Sequence, residues 1–546
     1  MPHGIVGSHM ATDPILCYYL GIGVHCIDRL ILRRQHNVGN SVQSSNALER
    51  LETTQDIPDI ESTPKTKDAP PPDTPYSVLS ERQKICLMIF ASFAGVISPL
   101  SSSIYFPALT SLADAMHVST TRINLTVTMY LIFQGIAPSF TGAFSDTHGR
   151  RPAYLICFVL YLGANIGLAL QNNYTALMIL RCLQACGSSG TIALGSAVVA
   201  DVSTRAERGK YIGYASLGVT LGPALGPVIG GLIDHFLGWR WIFWFLVIVS
   251  AVFLVLIALA FPETCRAVVG NGSIPAARWN RPLLHILEPT ITAPTTATST
   301  PMQPKNKHPL NPFLSARLAA DKENALILIY GALLYAGIAA VLTTLSTELT
   351  TRYHFNAIQV GLCYLPMGVG SLTSRWTVGL LLDRAFRRAA HRSNLPIIKN
   401  QQQDIAAFDI ERARLIVTIP LVYAAAVGFV AYGWVLRYRV SLAGPMITLF
   451  VGSHLLTGAF TAVNTLMVDV NRRSPATAVA ANNLFRCLLG AGATAIAAPL
   501  IGRIGIGWTA TLMAALWVVA SPCIWMVYFW GFKWRRDLLG KEVQQG

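Results

Sequence analysis

Twelve apolar runs recur along this chain of 546 residues, each close to the roughly 20 residues that a hydrocarbon core about 30 Å thick demands of a helix. They fall at about 85–106, 123–143, 153–170, 174–199, 209–232, 240–261, 324–347, 358–381, 413–433, 444–468, 476–501 and 508–530. Inside lipid every backbone N–H and C=O must be satisfied within the protein, and a helix does this alone. The pattern therefore predicts an all-α membrane protein with twelve transmembrane helices. Composition agrees, because 52% hydrophobic and 13% charged residues make the chain too apolar to be soluble at this length.

The formal charge of +15 would suggest nucleic acid as a partner of a soluble protein, but no basic groove with base-reading groups is present. With the N-terminus in the cytoplasm, 33 of the 42 Lys+Arg fall in cytoplasmic segments and 6 in exterior loops. That asymmetry follows the positive-inside rule and places both termini inside. The remaining three, Arg181, Arg375 and Arg486, lie inside spans. A charge there is costly and normally faces the bundle interior or a water-filled path. The ten cysteines include no C-x-x-C pair, so neither zinc nor a disulfide framework is implied, and no cofactor is expected. The sequon at Asn173 sits in an outer loop too short for efficient glycosylation, and the one at Asn271 falls on the cytoplasmic side.

The spans divide six and six. Residues 1–84 form a polar tail whose Pro/Asp/Thr/Lys-rich run at 56–75 reads as disordered. Its apolar stretch Ile15 to Ile27 ends in Asp28, Arg29, Arg33 and Arg34, and reads as a surface-lying segment or a wrongly extended start rather than an anchor. Two halves, 85–261 and 323–531, are joined by a cytoplasmic linker at 262–322 with a flexible Thr/Pro-rich centre, Pro289 to Pro309, and a short tail follows at 532–546. The halves repeat. Gly142, Asp146, Arg150 and Arg151 after span 2 match Gly379, Asp383, Arg387 and Arg388 after span 8 at an offset of 237, with Arg384 directly after the second aspartate. Asp201 closing span 4 matches Asp469 closing span 10 at an offset of 268. Carriers built of two related halves bind substrate between them near the midplane, and rocking exposes the site to each side in turn.

These motifs are similar to those of the major facilitator superfamily, and closely to the fungal drug:proton antiporter family with twelve spans. The resemblance covers about residues 80–535 and rests on several segments. Ser101 to Leu109 resembles that family's first span, and Gly142 to Arg151, which includes Gly149, its loop motif. Arg181-Cys-Leu-Gln184-Ala-Cys-Gly187 resembles the fourth-span motif, and Gly222-Pro223-Ala-Leu-Gly226-Pro227 the antiporter motif. Phe261 to Arg266, Val269 to Ser273 and Asn482 to Gly490 resemble the branch of quinidine-resistance-type and citrate exporters. The resemblance implies proton-coupled export, and makes the loop cluster a latch for the outward-facing state. Where the family has a basic residue after the aspartate, this chain has Thr147, so one pairing is missing.

The residues themselves give each motif a physical reading. Gly142 admits a neighbouring helix, and Asp146 suits a helix N-terminus, where negative charge is favoured. Gly218, Gly222, Gly226 and Gly230 put a groove along one face of span 5, while Pro223 and Pro227 remove backbone donors and favour a bend. Arg181, with Gln184 nearly one turn on, either touches substrate and the coupling machinery or holds helices together. Arg486, after Asn482 and Asn483, has the same two readings. Arg375 is nearer the inner end and structural. His454 and Asn464 are polar positions in span 10, the histidine being either a satisfied neutral ring or a titrating one. No Asp or Glu lies at the midpoint of a span, and buried arginines suit anions better than cations.

The sequence thus reads as a monomeric proton antiporter of the plasma membrane that exports small organic molecules, with protons and the bilayer as its other partners and no nucleic acid. An organic-anion exporter of the citrate type, an uptake symporter and a transport-dead nutrient sensor are the rivals on the same scaffold. No nucleophile–base or metal-ligand set suggests an enzyme.

Overall fold

The structure is a computed structural model that describes residues 77–203, 208–272, 274–284, 317–392, 408–438, 441–471 and 475–545. The tail at 1–76 with its apolar stretch, the Thr/Pro-rich centre of the linker, and residues 393–407 lie outside the described residues. All described residues belong to one compact unit, Pro75–Gly546.

Among the described residues all regular structure is helical. The long helices track the apolar runs: α1 (Glu81–Ser103), α2 (Thr120–His148), α3 (Arg150–Leu170), α4 (Tyr174–Val202), α5 (Arg208–Leu237), α6 (Arg240–Ala260), α7 (Lys322–Tyr353), α8 (Leu365–Arg392), α9 (Ile410–Arg437), α10 (Ala443–Val470), α11 (Pro475–Val519) and α12 (Pro522–Gln545). Nine described stretches are long and apolar enough to cross a membrane by length and composition alone. The last of them, Thr477–Asp537, holds two crossings, because Gly505 at φ 79° breaks α11 and the chain turns back there. With α5 and α8 added, each run has its helix, and the chain is a multi-pass membrane protein.

Local signals set several helix starts. Ser80 and Gln83 exchange bonds at the start of α1, with Ser80 N donating to Gln83 Oε1 at 2.9 Å and Gln83 N to Ser80 Oγ at 3.4 Å. Asn356 and Gln359 do the same, at 3.0 Å each way, at the short helix Ala357–Cys363 that leads into α8. Each pair satisfies two orphan donors of a helix N-terminus. Helical structure extends into two expected loops. Helix α2 runs through His148, leaving only Gly149 before α3, and α8 continues to Arg392, so Asp383, Arg384, Arg387 and Arg388 are helical.

The glycine stripe of α5 packs on α1 with backbone against backbone. A Cβ at Gly218 would overlap Ser92 O, one at Gly226 Ser103 Oγ, and one at Gly230 Ile104 O, while at Gly222 it would lie 2.8 Å from the Pro99 ring. Two hydrogen bonds use this closeness: Gly218 N donates to Ser92 Oγ at 3.0 Å, and Ser103 Oγ donates to Gly222 O at 3.1 Å. The opposite face of α5 meets the second half. A Cβ at Gly361 would sit 2.6 Å from Pro227 O, one at Gly368 2.6 Å from Ala224 Cβ, and one at Gly231 would overlap Ala357 O. Helices α2 and α11 make the second contact between halves, where Thr128 and Thr494 share a hydroxyl hydrogen bond at 2.9 Å and Gly135 abuts Cys487.

Gly142 and Gly379 differ from these. Neither has a heavy atom within 4 Å of where its Cβ would stand, so the close helix approach expected at Gly142 is not made in this conformation. Gly226→Leu is therefore expected to lose transport, and Gly142→Ala to leave the amount of folded protein unchanged. Transport normalised to surface protein, read beside the surface amount itself, checks both. A fully active Gly226→Leu protein would show that the α1–α5 contact is dispensable.

Candidate functional site

Arg181 is fully buried on α4. Its guanidinium carbon lies 4.1 Å from the centroid of the Tyr105 ring and 4.4 Å from that of Tyr130, so the cation is held against two aromatic faces. Nη1 donates to Gln184 Oε1 at 2.6 Å, Gln184 Nε2 donates to Asn165 Oδ1 at 2.7 Å, and Asn165 Nδ2 to Tyr161 O at 2.7 Å. Both tyrosine hydroxyls are fixed: Tyr105 shares a 3.0 Å bond with Thr126 Oγ1 and Tyr130 a 2.9 Å bond with Ser188 Oγ. Arg181 Nε and Nη2 have no hydrogen-bond partner, and among the described residues no carboxylate pairs with this arginine. Two cation–π contacts contribute about 2 kcal/mol each when desolvated, whereas each buried donor left unmade costs about 1–3 kcal/mol. The rings therefore offset only part of the burial, and Nε and Nη2 are left without an acceptor.

The other polar positions do not join Arg181 in one cluster. Arg486 Nε and Nη2 both donate to Asn483 Oδ1, at 3.1 and 2.8 Å, and its charge lies 5.0 Å from the Tyr335 ring. Asn483 Nδ2 donates to Gln134 O at 3.2 Å, so this group bridges the two halves. Asn482 Nδ2 donates to Asn464 Oδ1 at 2.9 Å, tying α11 to α10 within the second half. Both ring nitrogens of His454 face threonine hydroxyls, Nδ1 with Thr373 at 3.0 Å and Nε2 with Thr377 at 3.2 Å. Hydroxyls donate or accept as needed, so this geometry satisfies a neutral imidazole. Arg375 is exposed on α8.

At the α2–α3 junction, Arg150 is buried. Its Nε donates to Asp201 Oδ2 at 2.8 Å, and its Nη1 bonds Ser145 Oγ at 2.7 Å and Asp146 Oδ1. Arg151 Nη2 donates to Ala258 O at 3.0 Å. Glu263, which the sequence marked only as part of a family segment, organises this end. Its carboxylate accepts from Arg150 N at 2.8 Å and Arg151 N at 3.2 Å, capping α3, and from Asn280 Nδ2 at 2.9 Å. An anion at a helix N-terminus gains from both the orphan donors and the dipole. Gly149, at φ 110°, must be glycine, since a Cβ there would overlap the Glu263 carboxylate. Burial pushes the neighbouring Cys265 thiol up, so it stays protonated.

Two expectations for this end need correction. Asp146 does not face a helix N-terminus: its side chain is 67% exposed and pairs with Arg150 alone, because the halves meet elsewhere. The segment after span 8, read as a loop, is instead helical. Asp383, Arg384, Arg387 and Arg388 are exposed, and the arginine that binds Asp469 is Arg414 on α9, at 2.9 Å. Position within the fold, at the start of α3 and of α9, decides the pairing rather than the double-arginine spelling. The sequence reading also omitted Glu323 and Glu411. Both are buried beside Arg535, which donates to Glu411 at 2.7 and 3.2 Å.

The sequence model of the Major Facilitator Superfamily matches residues 91–495. The chain is 50% identical to MFS-type transporter M6 of Phoma sp. over 84% of each chain. It is 46% identical to MFS-type transporter R5 of Phoma sp. over 86% of this chain and 89% of that one. Citrate exporter 1 of Aspergillus niger is 33% identical over 90% of this chain and 96% of its own. The crystal structure of the human organic anion transporter MFSD10 (TETRAN) superposes with a TM-score of 0.51 at 17% identity, over 82% of this chain and 100% of that one, and shows the same fold.

The Arg181 geometry separates ring from hydroxyl. Tyr105→Phe keeps the aromatic face and is expected to transport within about twofold of wild type, while Tyr105→Leu, which forfeits a contact of about 2 kcal/mol, falls at least tenfold. Arg181→Lys keeps charge but loses the planar fork and is expected to transport poorly. Arg181→Ala is expected to lose more, with both variants reaching the membrane. Efflux per surface molecule is the readout, and an Ala variant that is scarce yet fully active would make Arg181 structural only.

Proposed function

We propose that the chain, which belongs to the major facilitator superfamily, is a secondary active transporter that exports small organic molecules in exchange for protons by alternating access. Its family makes it a membrane transporter and not an enzyme; direction, coupling and substrate are this reading's own. The observation that carries the substrate side is Arg181, a buried cation with two free N–H donors between tyrosine faces. An arginine keeps its proton, so this residue does not release the coupling proton. Its donors fit a carboxylate or another electron-rich oxygen, which favours acidic substrates of the kind named for the Aspergillus niger relative. Among the described residues the carboxylates stand near helix ends or in connections, away from where a buried amine would need one.

The Gly-Pro pattern of α5 supports export over uptake, because it resembles the antiporter motif. The positive-inside asymmetry puts the Arg150 end and both termini in the cytoplasm. At that end Asp146 is exposed and Gly142 and Gly379 face open space, while Thr128–Thr494, Gly231–Ala357 and the stacked pair Phe106–Tyr364 join the halves toward the other end. The conformation is then inward-open, with the Asp146 latch released. On this reading the chain works as a monomer in the plasma membrane.

The test is accumulation of labelled organic acids in a host expressing the chain. Export predicts lower accumulation than in the empty host and a rise when a protonophore collapses the gradient. A protonophore-induced fall would indicate uptake by symport. Unchanged accumulation across a broad panel of acids and neutral metabolites, with the protein present in the membrane, would overturn the proposal.

A further inference from the structure

The connection that follows α6 carries a feature the transport cycle does not use. Five apolar side chains stand out of the protein there: Trp279, 69% exposed, with Ile274, Leu283, Leu284 and Val78 all about half exposed. A soluble surface would rarely leave such a group uncovered. The backbone holds them outward. Residues 278–280 form one tight 3-10 turn in which Asn280 points inward to Glu263 while Trp279 points away. Arg151 Nη1 donates to Trp279 O at 3.5 Å, Arg281 Nε donates to Ala276 O at 2.7 Å, and Val78 N donates to Asn271 O at 3.1 Å. Turning Trp279 inward would break the Asn280 and Arg151 contacts together.

Two observations identify what covers this surface. It adjoins a lipid-facing one: α6 exposes Ile248, Val252, Val255 and Leu256 and ends at Ala260, and Arg151 bonds both Ala258 O and Trp279 O, which sets the turn beside that end. It also interleaves its apolar groups with Arg278, which is exposed, and Arg281, which is half-buried. Indole rings and apolar side chains alternating with guanidinium groups fit the headgroup region, where apolar parts dip into the acyl boundary and cations meet phosphate and carboxylate groups.

We propose that residues 274–284, with Val78, form a foot that rests on the membrane surface and binds anionic phospholipid headgroups through Arg278 and Arg281. The foot is bonded to Glu263 and Arg151, which also fix the start of α3, so lipid composition acts on the same cluster that holds Arg150. The proposal needs only that the chain spans a membrane, and stands or falls separately from substrate and direction.

Two measurements on the full chain test it. A spin label at Trp279→Cys, in an otherwise cysteine-free chain in lipid nanodiscs, is expected to collide more with membrane-dissolved oxygen than with an aqueous nickel chelate. Adding phosphatidylserine to phosphatidylcholine should strengthen that bias, and Arg278→Gln with Arg281→Gln should remove the increment. In the unaltered protein, trypsin cleavage after Arg278 is expected to be several-fold slower in discs containing phosphatidylserine than in phosphatidylcholine alone. A label open to water in both bilayers, or shielded from both reagents by protein, would overturn the proposal. So would a cleavage rate that ignores the lipid.

Discussion

Helix α5 is held by the close approach that its glycines and small residues allow. Its stripe at 218, 222, 226 and 230 touches α1, while Ala224, Pro227 and Gly231, spaced by three and four residues, present another face to α8 and the turn before it. Three and four are the spacings that keep residues on one helical face. In lipid no hydrophobic force drives helices together, so association rests on close van der Waals fit and on the few hydrogen bonds that closeness permits. A helix with glycine on one face and small residues or a bare carbonyl on the other satisfies this twice. It couples α1 of the first half to α8 of the second, and the placement of Tyr105, just past the end of α1, depends on it.

Charge is arranged differently in the middle and at the ends. Arg150 with Asp201 in the first half, and Arg414 with Asp469 in the second, close corresponding corners of the two halves. These pairs are buried to different degrees but each has a carboxylate. Arg181 has none, and its surroundings are aromatic faces and amides. A helix-end arginine with a paired acid needs no ligand to be stable. A midspan arginine with two idle donors is stabilised further by whatever brings an oxygen to it.

The twelve helices were legible because each apolar run must satisfy its own backbone, and the Gly218 to Gly230 stripe was legible because four-residue spacing marks one face. Arg181 and Gln184 were legible as a pair one turn apart, but Tyr105 and Tyr130 were not, since no local pattern ties a tyrosine on another helix to an arginine. Glu263 escaped for the same reason: the donors it caps belong to a helix more than a hundred residues away. The motif of Asp146 returns at Asp383, but matching letters do not name the partners: Asp469 pairs with Arg414 on α9 and not with the double arginine of α8. His454 shows the opposite case, in which the bland alternative is what the threonine hydroxyls support.

Thr128 and Thr494 meet through neutral hydroxyls, and Gln134 and Asn483 through a carbonyl and an amide. Among the described residues the ion pairs of Arg150, Arg352, Arg414 and Arg535 each stay inside one half. Parting the halves along this line trades neutral hydrogen bonds for bonds to water, an exchange of about 0.5–1.5 kcal/mol per bond. Ionic strength, which weakens contacts between exposed charges, has little to act on there. The strength of this contact between the halves is then set by close fit and hydration, and hardly at all by the salt on either side.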